Sequence, residues 1–421
     1  MPSEHPCPGQ RRVAARGWTA LLGLLVAVLP AGAQPGEFTG IVPRHLNPAT
    51  PLEGRTDVTL RQLWRVGGPG AGAGSIGIVS DAFLDHAGNV CLLDVDRGVL
   101  DVFDAAGKRV RTIQPGDNAG ARFHAASGAC ALEPEGYCLL QAYPPALLRY
   151  GPTGLSAGSV VPVLPDLPRP DSARSTISLV SARSLGESWV FDCLVEIAVP
   201  RGSRLIRRHL LGVFGRGGYL ERRLLGTESE SRLDGEVKIE EREAVRYQGR
   251  WTTGPGNLIY AAPDLDRYRI QVMSMDGGLH RLISREYTSV PRTSEEYARV
   301  KSLFDAFAGN VPRAQAEIEL THADIQGLQV AGDGTLWVLS SEGRFRAPPG
   351  VLGVYDVFDA EGRFVRQVAL HGEGNPSEDG VWLLGDRVIV ARGIRAAALA
   401  RLQGGTEGAS PPSVEVICYA R

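Results

Sequence analysis

The sequence predicts an all-β chain folded as a six-bladed β-propeller of four-stranded antiparallel blades, with one inserted helix over about 294–308. Three observations carry this. A strand–loop–strand pattern recurs along the chain, one column of that pattern is apolar in every copy, and helical periodicity stands out only once.

The repeat is clearest in "GNVCLLDVDRGVLDVFDAAGKRV" at 88–110, which returns as "GTLWVLSSEGRFRAPPGVLGVYDVFDAEGRFV" at 334–365. It returns again as "GNLIYAAPDLDRYRIQVMSMDGGLHRL" at 256–282, and shorter copies follow Gly136, Gly186 and Gly385. Each copy has a glycine turn, a buried strand, a polar loop, a second strand and another glycine turn. Just after the six starting glycines stand Cys91, Cys138, Trp189, Ile259, Trp337 and Val388. All are apolar, as a strand covered on both faces requires. The copies are spaced by about 50 to 78 residues, room for four short strands.

The single helix starts at a capping box, Thr293 with Glu296, and places Tyr297, Val300, Phe304 and Phe307 on one face. Such a helix either lids the channel mouth or packs on an outer blade surface. Two segments compete to close the ring, "TLRQLWRV" at 59–66 and "SVEVICYA" at 413–420; either would protect a sheet edge.

Ahead of the propeller (57–421), residues 1–33 read as a signal peptide. Arg11, Arg12 and Arg16 precede an apolar run from Trp18 to Leu29, and Ala31-Gly32-Ala33 forms a cleavage site. Residues 34–56 read as a proline- and glycine-rich linker or arm. The chain is therefore expected to be exported, periplasmic or secreted, with no membrane span in the mature part. Net charge is −2, which argues against a nucleic-acid partner. Five cysteines remain after cleavage, an odd number, and only Cys130 and Cys138 flank a local hairpin.

"GGPGAGAGSIG" at 67–77 satisfies the G-x-G-x-x-G spacing of dinucleotide sites. Phosphate binding there needs a helix opening at the glycines. The following "IVSDAFLDHAGN" reads as strand and turn, so the glycines read as an interblade link.

With "PDLDRYRIQVMSMDGG" at 263–278, "GNVCLLD" and "DVFDAAGKRV", the chain resembles the NHL-type six-bladed β-propeller superfamily, as an exported bacterial member. The resemblance covers most of 59–421 and implies a central channel. Its relatives include metal-dependent lyases and lactonases, which draws attention to the histidines. His124 and His322 each lie twelve residues before a repeat glycine, at the expected start of an innermost strand in blades 2 and 5. Arg174 has the same offset in blade 3. The three would converge at one mouth and suit a small polar or anionic ligand.

Two Asp-x-Asp-Arg turns, Asp94, Asp96 and Arg97 and then Asp264, Asp266 and Arg267, are expected on the same face. Their carboxylates serve either a ligand or the turn's own backbone N–H groups. No set of residues reads as a complete metal site, and no catalytic motif singles out a nucleophile. The chain is thus expected to be a non-enzymatic binding or interaction propeller, with an unknown protein or a small polar ligand as partner. The alternative is a metal-dependent hydrolase or lyase holding zinc or calcium in the channel.

Overall fold

The computed structural model describes residues 42–70, 75–114, 123, 126–142, 144–167, 174–199, 203–232, 237–244, 246–308, 314–402 and 414–421, the side chains of Val237, Ala244 and Phe307 excepted. The signal-peptide segment, residues 34–41, Gly72, Gly74 and His124 lie outside the described residues.

Six antiparallel sheets follow one another along the chain. Blade 1 is Val79–Leu84, Val90–Asp94, Val99–Phe103 and Arg109–Ile113, from the innermost strand outward. Blade 2 is Ala126–Ala131, Tyr137–Gln141, Ala146–Tyr150 and Ser156–Val160. Blade 3 has much longer strands, Arg174–Leu185, Ser188–Val199, Arg204–Phe214 and Leu220–Arg232. Blade 4 is Trp251–Gly254, Leu258–Ala261, Arg269–Met273 and Leu279–Arg285. Blade 5 is Ile325–Val330, Leu336–Ser340, Val351–Phe358 and Phe364–His371.

Blade 6 closes the ring with both candidate segments. Its first two strands, Gly380–Leu384 and Arg387–Arg392, are followed by Glu415–Ala420 as third strand and Arg61–Gly67 as fourth, with Cys418 opposite Trp64. The two do not compete because each needs the other as a neighbour.

The repeat column proves to be one structural position. Cys91, Cys138, Trp189, Ile259, Trp337 and Val388 are each the second residue of their blade's second strand, and all are buried. The six starting glycines all take left-handed backbone in the first hairpin of a blade. At Gly136 (φ 112°) a Cβ would also stand 2.3 Å from the carbonyl oxygen of Tyr150, so both backbone and space demand glycine.

Blades interlock through polar pins as well as apolar clusters. Asp81 of blade 1 accepts from the backbone N–H of Ala129 in blade 2 at 3.0 Å. Trp251 of blade 4 donates its indole N–H to Ser181 of blade 3 at 2.9 Å. Between blades 4 and 5, buried Arg285 pairs with buried Asp356 at 3.0 Å, and Tyr268 donates to the same carboxylate at 2.7 Å. Replacing such a pair by apolar groups can be neutral, but losing one partner strands a buried charge.

Residues 44–59, within and just past the expected arm, wrap the outside. Arg44–Asn47 adds a parallel fifth strand to blade 4, and Arg55–Thr59 does the same for blade 5. Asn47 ties the two blades, donating to the carbonyls of Ser284 and Gly362 and accepting from the N–H of Phe364. Cys130 and Cys138 face each other across the blade 2 hairpin, yet all five described cysteines are free and buried. No described helix is long and apolar enough to cross a membrane.

Candidate functional site

Strand alternation gives the propeller two unlike faces. Turns joining first to second and third to fourth strands emerge on one face, here the lower. Turns joining second to third strands, and the connectors between blades, emerge on the upper. The lower turns are short glycine hairpins. All four described α-helices lie in upper-face segments, α1 (Glu241–Ala244), α2 (Ser294–Ala308), α3 (Ser341–Phe345) and α4 (Ile394–Leu402), while a single described 3-10 turn, Pro255–Asn257, sits in the first hairpin of blade 4. The expectation of a single helix is corrected. α4 carries a run of alanines, the best intrinsic helix formers, which was the available signal.

Blade 3 also rises on this side. Its second strand starts two residues after Gly186, as blade 1's does after Gly88, but ends at Val199 rather than at the position matching Asp94. The excess adds roughly 20 Å of strand. Arg174 pairs with Ala198 near the end of this extension and is exposed. A fixed offset from the repeat glycine therefore misplaces Arg174: the doubled strand length carries it away from the mouth where it was expected to meet His322.

α2 begins at the capping box read from the sequence. Thr293 N–H donates to Glu296 Oε2 at 2.7 Å, and Glu296 N–H donates to Thr293 Oγ1 at 3.2 Å. Tyr297, Val300 and Phe304 pack against Ile239, Ile318 and Leu205. The support is a two-stranded parallel sheet, Val237–Glu240 with Ala314–Glu317, which neither expected placement included. Polar contacts fix the helix to upper-face segments, Glu296 to Arg346 at 2.8 Å and Arg299 to Glu378.

His322 is held between these elements rather than offered to solvent. Its ring stacks on Phe345 with centroids 3.8 Å apart. Nδ1 accepts from Arg292 Nε at 3.5 Å, and Nε2 lies 3.4 Å from Glu296 Oε2. Burial and then the Arg292 cation push its pKa down to about 4, so the imidazole is neutral at pH 7. The Arg346 hydrogen bond leads in holding Glu296 down at about 2. Arg292 grips Glu241 through two hydrogen bonds of 2.5 Å, with both side chains under one-tenth exposed. Sequence reasoning missed this pair because its partners lie on connectors 51 residues apart.

The two Asp-x-Asp-Arg turns diverge. In blade 1, buried Asp94 accepts from the N–H groups of Gly77 (2.7 Å), Asp96 (3.1 Å) and Arg97 (2.9 Å). Arg97 spans to Asp101 at 2.6 Å, and Asp96 meets Arg401 of α4. A Cβ at Gly77 would stand 2.6 Å from Asp94 Oδ1, so the last glycine of the G-x-G-x-x-G run is there for close approach to this turn. In blade 4, Asp264 pairs with Arg269 at 2.6 Å, while Asp266 and Arg267 are exposed. Asp266, His322, Arg292, Glu241, Arg242 and Glu319 border a cavity of about 20 Å³, space for about one water. His322 and Asp266 are thus brought together; Arg174 and the blade 1 turn are not.

Beside α3 and α4 the upper face is cationic. Arg299 and the backbone N–H of Arg395 both meet Glu378, and Arg344 donates to the carbonyl of Pro376 at 3.3 Å. Burial, then the neighbouring Arg395 cation, lower the Arg344 pKa to about 10. Glu295 reaches Arg299 at 3.0 Å from within α2. Among the described residues, no three His, Cys, Asp or Glu side chains are grouped to hold a metal ion.

No protein-family model matches the chain, and no curated protein sequence matches it. Solved structures do resemble it. A member of the DUF4221 family from Bacteroides vulgatus is 8% identical with a TM-score of 0.46, over 86% of this chain and 97% of that one. The calcium-binding protein regucalcin from Agrobacterium tumefaciens is 11% identical with a TM-score of 0.39, over 88% and 98%. A gluconolactonase from Xanthomonas campestris is 12% identical with a TM-score of 0.38, over 82% and 87%. The propeller assignment rests on the sheets of this chain itself.

Proposed function

We propose that the chain is an exported, non-enzymatic binding module that presents its ligand surface on the upper face and favours anionic groups. The carrying observation is the gathering of every described α-helix and the blade 3 extension on that face, above a lower face of short hairpins. Binding residues concentrate on such elaborated connections over a rigid scaffold. The guanidiniums of Arg299 and Arg395 beside Glu378, with Arg344 next to Arg395, supply the anion preference. The Arg292–Glu241 clasp and the stacked His322 support this surface by fixing the connectors; Asp266 and Arg267 stand free to form its rim. The signal-peptide pattern and the NHL-type resemblance read in the sequence support export and a binding role.

The test is a thermal-shift panel of sugar acids, phosphates and amino acids on the purified mature protein, with and without chelator. Anionic compounds are expected to raise the melting temperature of the wild type but not of an Arg299→Gln/Arg395→Gln variant, with chelator making no difference. Stoichiometric zinc or calcium together with chelator-sensitive turnover of a lactone would instead establish the hydrolase or lyase alternative.

A further inference from the structure

The blade 3 extension carries a second cavity, of about 240 Å³, that the upper-face reading does not use. It lies where the connector from blade 2 runs along the outer edge of blade 3, tied to it by Val163 N–H to Gly218 O at 2.7 Å and Leu220 N–H to Val163 O at 3.0 Å. The volume falls just short of the roughly 300 Å³ at which small-ligand sites begin, so only a small molecule fits.

Its wall is divided by chemistry. Leu164, Leu167, Val195 and Leu210 form the apolar part and belong to the buried core of blades 2 and 3. Opposed to them, Arg208 and Arg223 converge on a single atom, Asp166 Oδ2, at 3.2 and 3.1 Å. Arg208 also donates through Nε to Glu228 at 2.6 Å. Alternation along the strand turns the ring of His209 to the other side of the sheet, where its Nε2 is 3.6 Å from Glu243 Oε2.

Asp166 belongs to the connector, not to the blade, and its side chain is 48% exposed. It can swing into water without unfolding any strand. When it does, Arg208 and Arg223 face Glu228 alone, leaving the site one positive charge in excess. One carboxylate restores neutrality, and both guanidiniums offer N–H donors to it.

We propose that this cavity binds small aliphatic monocarboxylates, whose carboxylate takes the place of Asp166 between Arg208 and Arg223 while the carbon chain lies on Leu164, Leu167, Val195 and Leu210. The site is separate from the upper-face cationic surface, and the chain's own Asp166 competes for it.

Calorimetric titration at pH 7 with hexanoate, hexan-1-ol and hexylamine tests this. Hexanoate is expected to bind, and the alcohol and amine are not. Asp166→Asn, which removes the competing charge at a half-exposed site, is expected to tighten hexanoate by about threefold or more. Arg223→Gln is expected to weaken it about tenfold, with Arg223→Lys between. The loss caused by Arg223→Gln is expected to be the same size in an Arg299→Gln/Arg395→Gln background, which separates this site from the upper-face surface. Equal binding of hexan-1-ol, indifference to Arg223→Gln and Arg223→Lys, or no hexanoate binding even in Asp166→Asn would each overturn the proposal. Circular dichroism of every variant confirms that the fold is retained.

Discussion

The lower face of the propeller uses one device six times, a left-handed glycine in the first hairpin of each blade, whereas the upper face is built differently in each. Below, each turn passes through a left-handed glycine, and neighbouring turns touch, as where Gly186 N–H donates to Glu133 Oε2 at 3.1 Å. Above, blade 1 closes on a carboxylate that spends its lone pairs on three backbone N–H groups, while blade 4, with the same Asp-x-Asp-Arg pattern, leaves Asp266 and Arg267 in water. The repeat specifies the blades and the hairpins beneath them, and the upper connections diverge on that scaffold. Substitutions should separate the two faces accordingly. Damage below or at the anchored clasp costs the fold, whereas changes on the upper rim cost only binding.

The largest loss should come from the clasp under the upper surface. Arg292→Ala leaves Glu241 buried and unpaired, and denaturant melts should report about 3–5 kcal/mol lost. A loss below about 1 kcal/mol would mean the connectors are not held this way.

Acid should come next. His209 and His322 are both pushed down to about 4, by burial first, from an ordinary 6.5. A histidine depressed in the folded state takes up its proton more readily when unfolded. Its contribution is therefore intact above pH 6.5 and is lost as pH falls through 4, by up to about 3 kcal/mol per ring. Stability measured against pH in wild type and His322→Gln should show a shallower slope between pH 6.5 and 4 in the variant.

On the lower face, Gly136→Ala places a Cβ in left-handed backbone against the Tyr150 carbonyl, and should cost about 1–3 kcal/mol in a chemical melt. The smallest effect belongs to the rim: Asp266→Asn with Arg267→Gln should change stability by less than about 0.5 kcal/mol, because neither side chain is buried. A large change there would show that the second Asp-x-Asp-Arg turn is as structural as the first.

Much of the fold was legible because its signals are local. The apolar column after each glycine, the capping box at Thr293 and the two closing segments each depend on neighbours a few residues away. The site was less legible because its contacts are not local. Arg174 and His322 share an offset, but blade 3 doubled its strands and carried Arg174 off, which spacing to a turn glycine cannot reveal. His322 was singled out as a ligand-facing residue and instead wedges Phe345, Arg292 and Glu296 together. The two-stranded sheet beneath α2 pairs segments on different connectors, VKIE and AQAE, each alternating but only four residues long. His124, the other half of the expected histidine pair, lies outside the described residues.

The central claim is that the upper face is the working one, and site-specific photo-crosslinking in producing cells tests it most directly. A photoreactive phenylalanine analogue is placed at exposed Asp266 or Ala396 above, and at exposed Lys108 in a lower hairpin. Discrete adducts from positions 266 or 396, with none from 108, are the predicted result. Adducts from 108 alone, or equally from both faces, would contradict it.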